Sequence, residues 1–362
     1  MMNLRKKHSI LINLLLSLVT LVVFFASGEA AIRLYRAYQA AQEPANYSKR
    51  PGPLELDPKL GWRSCIDYMG QWSEPDSQGH VKAIRYKTGE HGFRMFGNLQ
   101  TSKTKVFVIG DSCTQARYVS NDETYYSRVA QDLPTEIFAY GCGGYESLQE
   151  YMILDQFIDI IDPAIVIWQY SGNDIINNSF ELERRSFINN NGMRRPYLTD
   201  AGEIAYLYPS NVPLIRRMAS ESQFLMLLLS RFDKLTARFS SETILAVPKI
   251  ETIETVIERD GPRHQGFRRA VQLTDEIMKR VRARCRARIV TFTIADSFYV
   301  DEFRNISLNN RMEYVDGIQE ALKDAEAGGR NIRASDKIHW NEAGHRIVGE
   351  KIVAYLKSTG VH

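Results

Sequence analysis

The chain has 362 residues, 44% of them apolar and 25% charged, enough to bury a substantial core in one large domain or two smaller ones. Its formal net charge of +3 comes from dispersed basic residues and gives no reason to expect a nucleic-acid partner. Cys65, Cys113, Cys142 and Cys285 show neither C-x-x-C nor zinc-like spacing, so no metal or cofactor is expected and no disulfide pairing can be assigned.

Arg5, Lys6 and Lys7 precede an uncharged run, 9–28, dominated by Leu, Ile, Val and Phe. About 20 residues at a rise of about 1.5 Å cross a hydrocarbon core of about 30 Å. Basic residues ahead of such a run favour a cytoplasmic N-terminus, here 1–8, with the rest of the chain exported. The competing reading is a cleaved signal peptide, with Ala26, Ser27, Gly28 and Ala30 near a cut. The run exceeds the usual signal core of about 7–15 residues, which favours a retained membrane anchor.

Helical spacing continues through Ala30, Leu34 and Tyr38, after which Pro44, Pro51, Pro53 and Pro58 mark an extended stretch. Residues 29–58 therefore read as a juxtamembrane helix and linker, and 59–100, with Gly, Trp and Tyr between polar residues, as a small β-rich lead-in. From 101 to the C-terminus strands and helices alternate. Buried-strand patterns fall at 106–109, 136–140, 164–168 and 288–294, and helical periods at 123–131, 148–161, 268–284 and 341–356. This pattern predicts an α/β domain with a central parallel sheet between two helical layers. The segment 177–261 is an insertion, either surface decoration or a lid over the site, with a turn at 189–192 and a helix-like stretch at 222–235. The arginine-rich stretch 280–288 alternates with apolar residues and reads as the solvated face of a helix.

Three short segments follow predicted strands: Gly110-Asp111-Ser112, Cys142-Gly143-Gly144 and Gly172-Asn173-Asp174. Sites of α/β sheets form beyond the carboxyl ends of the strands. A fourth, Asp336-Lys337-Ile338-His339, precedes the last helix. A serine needs a base to become nucleophilic. His339 is the best candidate, because Asp336, three residues before it, can hold its Nδ1–H and stabilise the imidazolium. Asn341 can cap the helix that follows. Donors for a developing oxyanion would be the Ser112 and Gly144 amides and the Asn173 side chain. Cys113 is expected to pack behind the helix start. There is no G-x-S-x-G, no phosphate-binding G-x-x-x-x-G-K-S/T and no H-E-x-x-H.

In these four segments the chain resembles the SGNH, or GDSL-like, hydrolase superfamily over about 103–358. The stretch from Asp336 to His345 is especially similar to the family's last block, and Gly92-Phe93-Arg94 resembles the lead-in of membrane-anchored members. Ala116 and Ala139 depart from the glycine and asparagine common at those places. The resemblance implies a flavodoxin-like three-layer fold, Ser112 as nucleophile, His339 and Asp336 completing a triad, and Ser112, Gly144 and Asn173 lining an oxyanion hole. It further implies an exported ester-processing enzyme working through an acyl-serine. The expected substrate is an ester-bearing small molecule or an acetylated surface glycan. A glycan O-acetyltransferase, a lipid-ester acylhydrolase and a non-catalytic binding protein on the same fold are the alternatives.

Overall fold

The computed structural model describes residues 2–42, 52–186, 189, 192–209, 222, 224, 225, 228 and 252–361. They belong to two compact units, 1–45 with 210–250, and 46–209 with 251–362.

The first unit is built on helix α1 (Met2–Gln42). Its stretch Leu15–Tyr35, with mean hydropathy 2.1 and no burial, is long and apolar enough to cross a membrane. It overlaps the expected run 9–28 and continues past it, carrying Glu29 and Arg33 as an ion pair at 2.7 Å. Phe224 packs edge-on to Phe24 and Phe25 at 5.4 and 5.9 Å. Gly28 makes room for it, since a Cβ there would lie 2.6 Å from the Phe224 ring. The Glu29 carboxylate accepts from Ser222 Oγ at 2.8 Å and the Phe224 amide at 2.9 Å. Of the expected helix-like stretch 222–235, Phe224, Leu225 and Leu228 are helical and most of the remainder lies outside the described residues.

The second unit opens with two hairpins, β1 (Leu54–Asp57) with β2 (Gly61–Ser64), and β3 (Met69–Pro75) with β4 (Val81–Lys87). The first corrects the expected linker at its end. Asp57 Oδ1 accepts the Lys59 and Leu60 amides at 2.8 Å each, and Gly61 adopts φ +84°, so Pro58 sits in a tight turn rather than in an extended connection.

Short β5 (Met95–Phe96) and then β6 (Thr104–Gly110), β7 (Thr135–Gly141), β8 (Ile165–Tyr170), β11 (Arg288–Thr293) and β12 (Glu313–Tyr314) form one sheet in the order β12-β11-β8-β6-β7-β5. Five strands are parallel and β5 runs antiparallel to β7, so the sheet is mixed and mostly parallel, where the sequence suggested a parallel one. The antiparallel edge arises because the lead-in returns along β7 before the chain enters β6. A hairpin of β9 (Arg195–Leu198) and β10 (Ile204–Leu207) lies within the insertion.

Alternate residues of each buried strand feed two cores, as expected for a sheet covered on both faces. Phe107, Ile109, Phe138, Tyr140 and Trp168 join residues of helices 147–161 and 265–284. Val106, Val108, Ile137 and Ile167 join residues of helices 125–132 and 342–358. The result is a three-layer α/β sandwich. The connection from β6 goes to β7 on one side and the next strand, β8, lies on β6's other side. The crevice between the carboxyl ends of β6 and β8 is therefore the topological switch point, where such sheets bind ligands.

Candidate active site

Ser112 stands at that crevice. Gly110 ends β6 where a Cβ would fall 2.3 Å from Thr114 Oγ1 and 2.5 Å from Gln169 Oε1, so the strand can turn sharply only with glycine. Asp111 caps the short helix α2 (Ser112–Gln115), accepting the Cys113 amide at 3.0 Å. Burial pushes the Asp111 carboxyl up, against its hydrogen bonds from Cys113, Gln169 and Ser171. The helix ends at Ala116 in the left-handed region (φ +52°). Arg94, buried against the Tyr86 ring at 3.8 Å, donates to the Ala116 and Val119 carbonyls at 3.1 and 3.0 Å and fixes this turn. Cys113 is buried as expected, and burial raises its thiol well above the ordinary range, which keeps it an unreactive neighbour.

His339 Nε2 lies 2.8 Å from Ser112 Oγ, and His339 Nδ1 lies 2.5 Å from Asp336 Oδ2. The structure thus brings together side chains 227 positions apart in the chain. The other Asp336 oxygen accepts the Ile338 and His339 amides, both at 3.0 Å. Burial alone would raise Asp336, but the His339 side chain and these two amides hold it below the usual carboxylate range. Lys337 pays for this tight turn with φ +62°. Asn341 caps the helix α3 of the site's last block (Glu342–Ser358), accepting the Ala343 and Gly344 amides at 3.0 and 3.2 Å. Tyr118, which the sequence did not single out, stacks on His339 with ring centroids 5.2 Å apart and planes at 26°. Its phenol is pushed up to about 12, first by burial and then by the Asp336 charge.

The second block follows β7. A Cβ at Gly141 would lie 2.1 Å from the Gln115 amide nitrogen, so this strand end can approach α2 only as glycine. The Gly143 amide donates to Gln115 Oε1 at 3.1 Å and is thereby engaged. A Cβ on Gly143 would lie 3.8 Å from Ser112 Cβ, which places the glycine pair beside Ser112. Gly144 has φ +78°, a backbone conformation that favours glycine. In the third block, Ser171 Oγ donates to Asn173 Oδ1 at 2.5 Å, so the Asn173 amide nitrogen is the end left for another acceptor. The Ser171 amide in turn donates to Asp174 Oδ2 at 2.9 Å, capping the short helix 172–177. Among the described residues no group of His, Cys, Asp and Glu side chains is arranged to hold a metal ion.

A serine hydroxyl on an imidazole, a carboxylate on that ring's other nitrogen and a glycine loop stand together at the carboxyl ends of parallel strands, the arrangement expected of an SGNH-type hydrolase. The profile of the GDSL-like lipase/acylhydrolase family matches residues 108–347. The chain belongs to that family and is an ester-hydrolysing enzyme. Solved structures with similarity include LAE5, an alpha/beta hydrolase enzyme from the metagenome of Lake Arreo, at 14% identity and TM-score 0.39 over 72% of this chain and 99% of that one. TesA matches at 12% identity and TM-score 0.39, over 70% of this chain and 99% of that one. The Clostridium thermocellum family 3 carbohydrate esterase matches at 11% and TM-score 0.37, over 71% and 96%. No curated protein matches the chain.

Proposed function

We propose that the protein is a serine-dependent carboxylic-ester hydrolase or acyl-transferring enzyme that acts outside the cytoplasm, through an acyl-serine, on O-acetyl groups of a cell-surface glycan. The observation that carries this reading is the continuous line Ser112–His339–Asp336, with contacts of 2.8 and 2.5 Å. In this mechanism His339 Nε2 takes the Ser112 proton as Oγ attacks the acyl carbonyl. The tetrahedral oxyanion rests on the Ser112 and Gly144 amides and the Asn173 side chain, and Asp336 stabilises the imidazolium. His339 then protonates the departing alcohol. Water resolves the acyl-serine in a hydrolase, and a sugar hydroxyl resolves it in a transferase.

The rim supports a polar substrate. Arg117 is exposed with its guanidinium 5.5 Å from the Trp72 ring, next to Tyr118 on His339. Such amphipathic aromatic and cationic surfaces suit hydroxyl-rich rings better than a long acyl chain. For location, we place 1–8 in the cytoplasm, 9–28 as the anchor core, and the hairpin-bearing lead-in up to residue 100 with the catalytic domain 101–362, insertion at about 177–261, outside. A retained anchor is supported by the packing of Phe224 against Phe24, Phe25 and Gly28, since a cleaved segment has no need of a fitted partner from the distant insertion.

The test is hydrolysis of p-nitrophenyl acetate by the full chain in detergent beside Ser112→Ala. The wild type should turn over and the variant should lose at least about 10³-fold. Equal activity in both would remove Ser112 from the mechanism. Adding a deacetylated oligosaccharide and following acetyl transfer by mass separates transferase from hydrolase. Residence in the membrane pellet after an alkaline wash, with a mass that includes residues 1–28, tests the anchor.

A further inference from the structure

The glycine that carries the second oxyanion donor is held from behind by two residues outside all four blocks. Trp62, on β2, donates from Nε1 to the Gly143 carbonyl at 2.9 Å. Arg195, the first residue of β9, is fully buried and donates from Nη2 to the Gly144 carbonyl. Its Nη1 meets Glu183 Oε2 at 3.1 Å, the same oxygen that accepts from Tyr197 Oη at 2.7 Å. The Arg195 guanidinium also lies over the Trp62 ring, 4.8 Å from its centroid. Behind them the lead-in and the insertion touch backbone to backbone, because a Cβ on Gly61 would fall 2.1 Å from the Arg194 carbonyl oxygen. Trp62 is itself fixed, its carbonyl accepting from Tyr145 Oη at 2.7 Å.

Peptide planarity turns this anchoring into a direction. The Gly143 carbonyl and the Gly144 N–H belong to one trans peptide and point opposite ways. A carbonyl held toward Trp62 therefore sends the Gly144 N–H away from it. The next carbonyl, tied to Arg195, prevents the flexible Gly144 from rotating about its own bonds. With the Gly143 amide on Gln115, three of the four backbone polar groups of Gly143 and Gly144 are bound to protein.

We infer that Trp62 and Arg195 are positioning residues that aim the Gly144 N–H at the oxyanion, so that the lead-in and the insertion complete the catalytic loop. The inference rests on the proposed acyl-serine mechanism with Gly144 as donor. A donor that acts on the tetrahedral state lowers kcat when misdirected and leaves KM largely alone. Trp62→Phe keeps an aromatic ring under Arg195 and removes only the Nε1 donor. It is expected to lower kcat for p-nitrophenyl acetate about 10-fold or more, short of the roughly 10²–10³-fold seen when a donor is lost outright, with KM within about 2-fold. Arg195→Lys, which keeps the charge beside Glu183 but not the reach to Gly144, should show the same split and serves if Trp62→Phe does not fold. Circular dichroism and the thermal midpoint establish that the variant measured is folded. A folded variant with wild-type kcat, or one whose loss lies in KM, overturns the inference while an inactive Ser112→Ala leaves the underlying mechanism standing. An active Ser112→Ala would instead remove the mechanism itself.

Discussion

The two halves of the site are held in opposite ways. The Asp336–His339 turn is nearly self-contained: one carboxylate binds both the imidazole and two amides of its own four-residue loop. The Gly143–Gly144 loop is tied to Gln115, Trp62 and Arg195, which come from α2, the lead-in and the insertion. The proton-handling half can be built from local sequence because hydrogen-bond length and turn geometry suffice to aim a ring. In the proposed mechanism the charge-stabilising half must aim a backbone N–H that has no side chain of its own, and only neighbours brought in by tertiary structure can do that.

The contrast can be broken or sharpened by substitution. The largest effect is expected at His339→Ala, which removes the base and should cost at least about 10³-fold in kcat with p-nitrophenyl acetate. Asp336→Asn follows, expected to lose about 10²–10⁴-fold in kcat through the lost charge and the wrong tautomer. Because its Oδ1 still accepts the Ile338 and His339 amides, the thermal midpoint should barely move. If Asp336→Asn unfolds the protein while Trp62→Phe does not, the local half depends on charge more than on hydrogen-bonded shape.

On the other half, Gly141→Ala puts a methyl 2.1 Å from the Gln115 nitrogen, a backbone collision that side-chain rearrangement cannot relieve. It should lower the thermal midpoint by well over 5 °C or prevent accumulation of folded protein, which melting by circular dichroism would read. The pH dependence of stability offers a milder probe. Burial pushes Glu146, just behind the glycine loop, up to about 8, with the Arg195 charge and the Leu148 amide acting against it. A carboxyl raised in the fold keeps its proton between about pH 4.5 and 8 while the unfolded chain has shed it. Its contribution is therefore fully present below the unfolded value and is lost as pH rises through about 8. The thermal midpoint should fall from pH 6 to 9, and Glu146→Gln should flatten that fall; an unchanged slope would mean the carboxyl is ionised throughout. The smallest effect is expected at Lys337→Gly, where relief of φ +62° should offset glycine's extra freedom in the unfolded chain and leave stability within about 1 kcal/mol by chemical denaturation.

The same division separates what the sequence carries locally from what only the fold supplies. The juxtaposition of Ser112, Asp336 and His339 is legible in short segments at a strand end and before a helix, and the four central strands in their largely apolar runs. Trp62 and Arg195 carried no such sign. One is an aromatic in a polar lead-in, the other an arginine beside Arg194 and Pro196, and their meaning exists only once β2 and β9 meet. The two-residue edge strands β5 and β12 are too short to show a period, and Tyr118 is recognised only against the face of His339.

The contact between Gly61 and the Arg194 carbonyl also bears on how small the enzyme can be made. A fragment trimmed to the family match, 108–347, would retain the serine, the imidazole and the carboxylate, yet it would lack Trp62, Arg94 and the end of the last helix. Its glycine loop would keep the ties to Gln115 and Arg195 and lose the one to Trp62. The shortest piece worth excising for crystallography or screening therefore starts near residue 52 and runs to the C-terminus, with the hairpins kept as working parts of the enzyme.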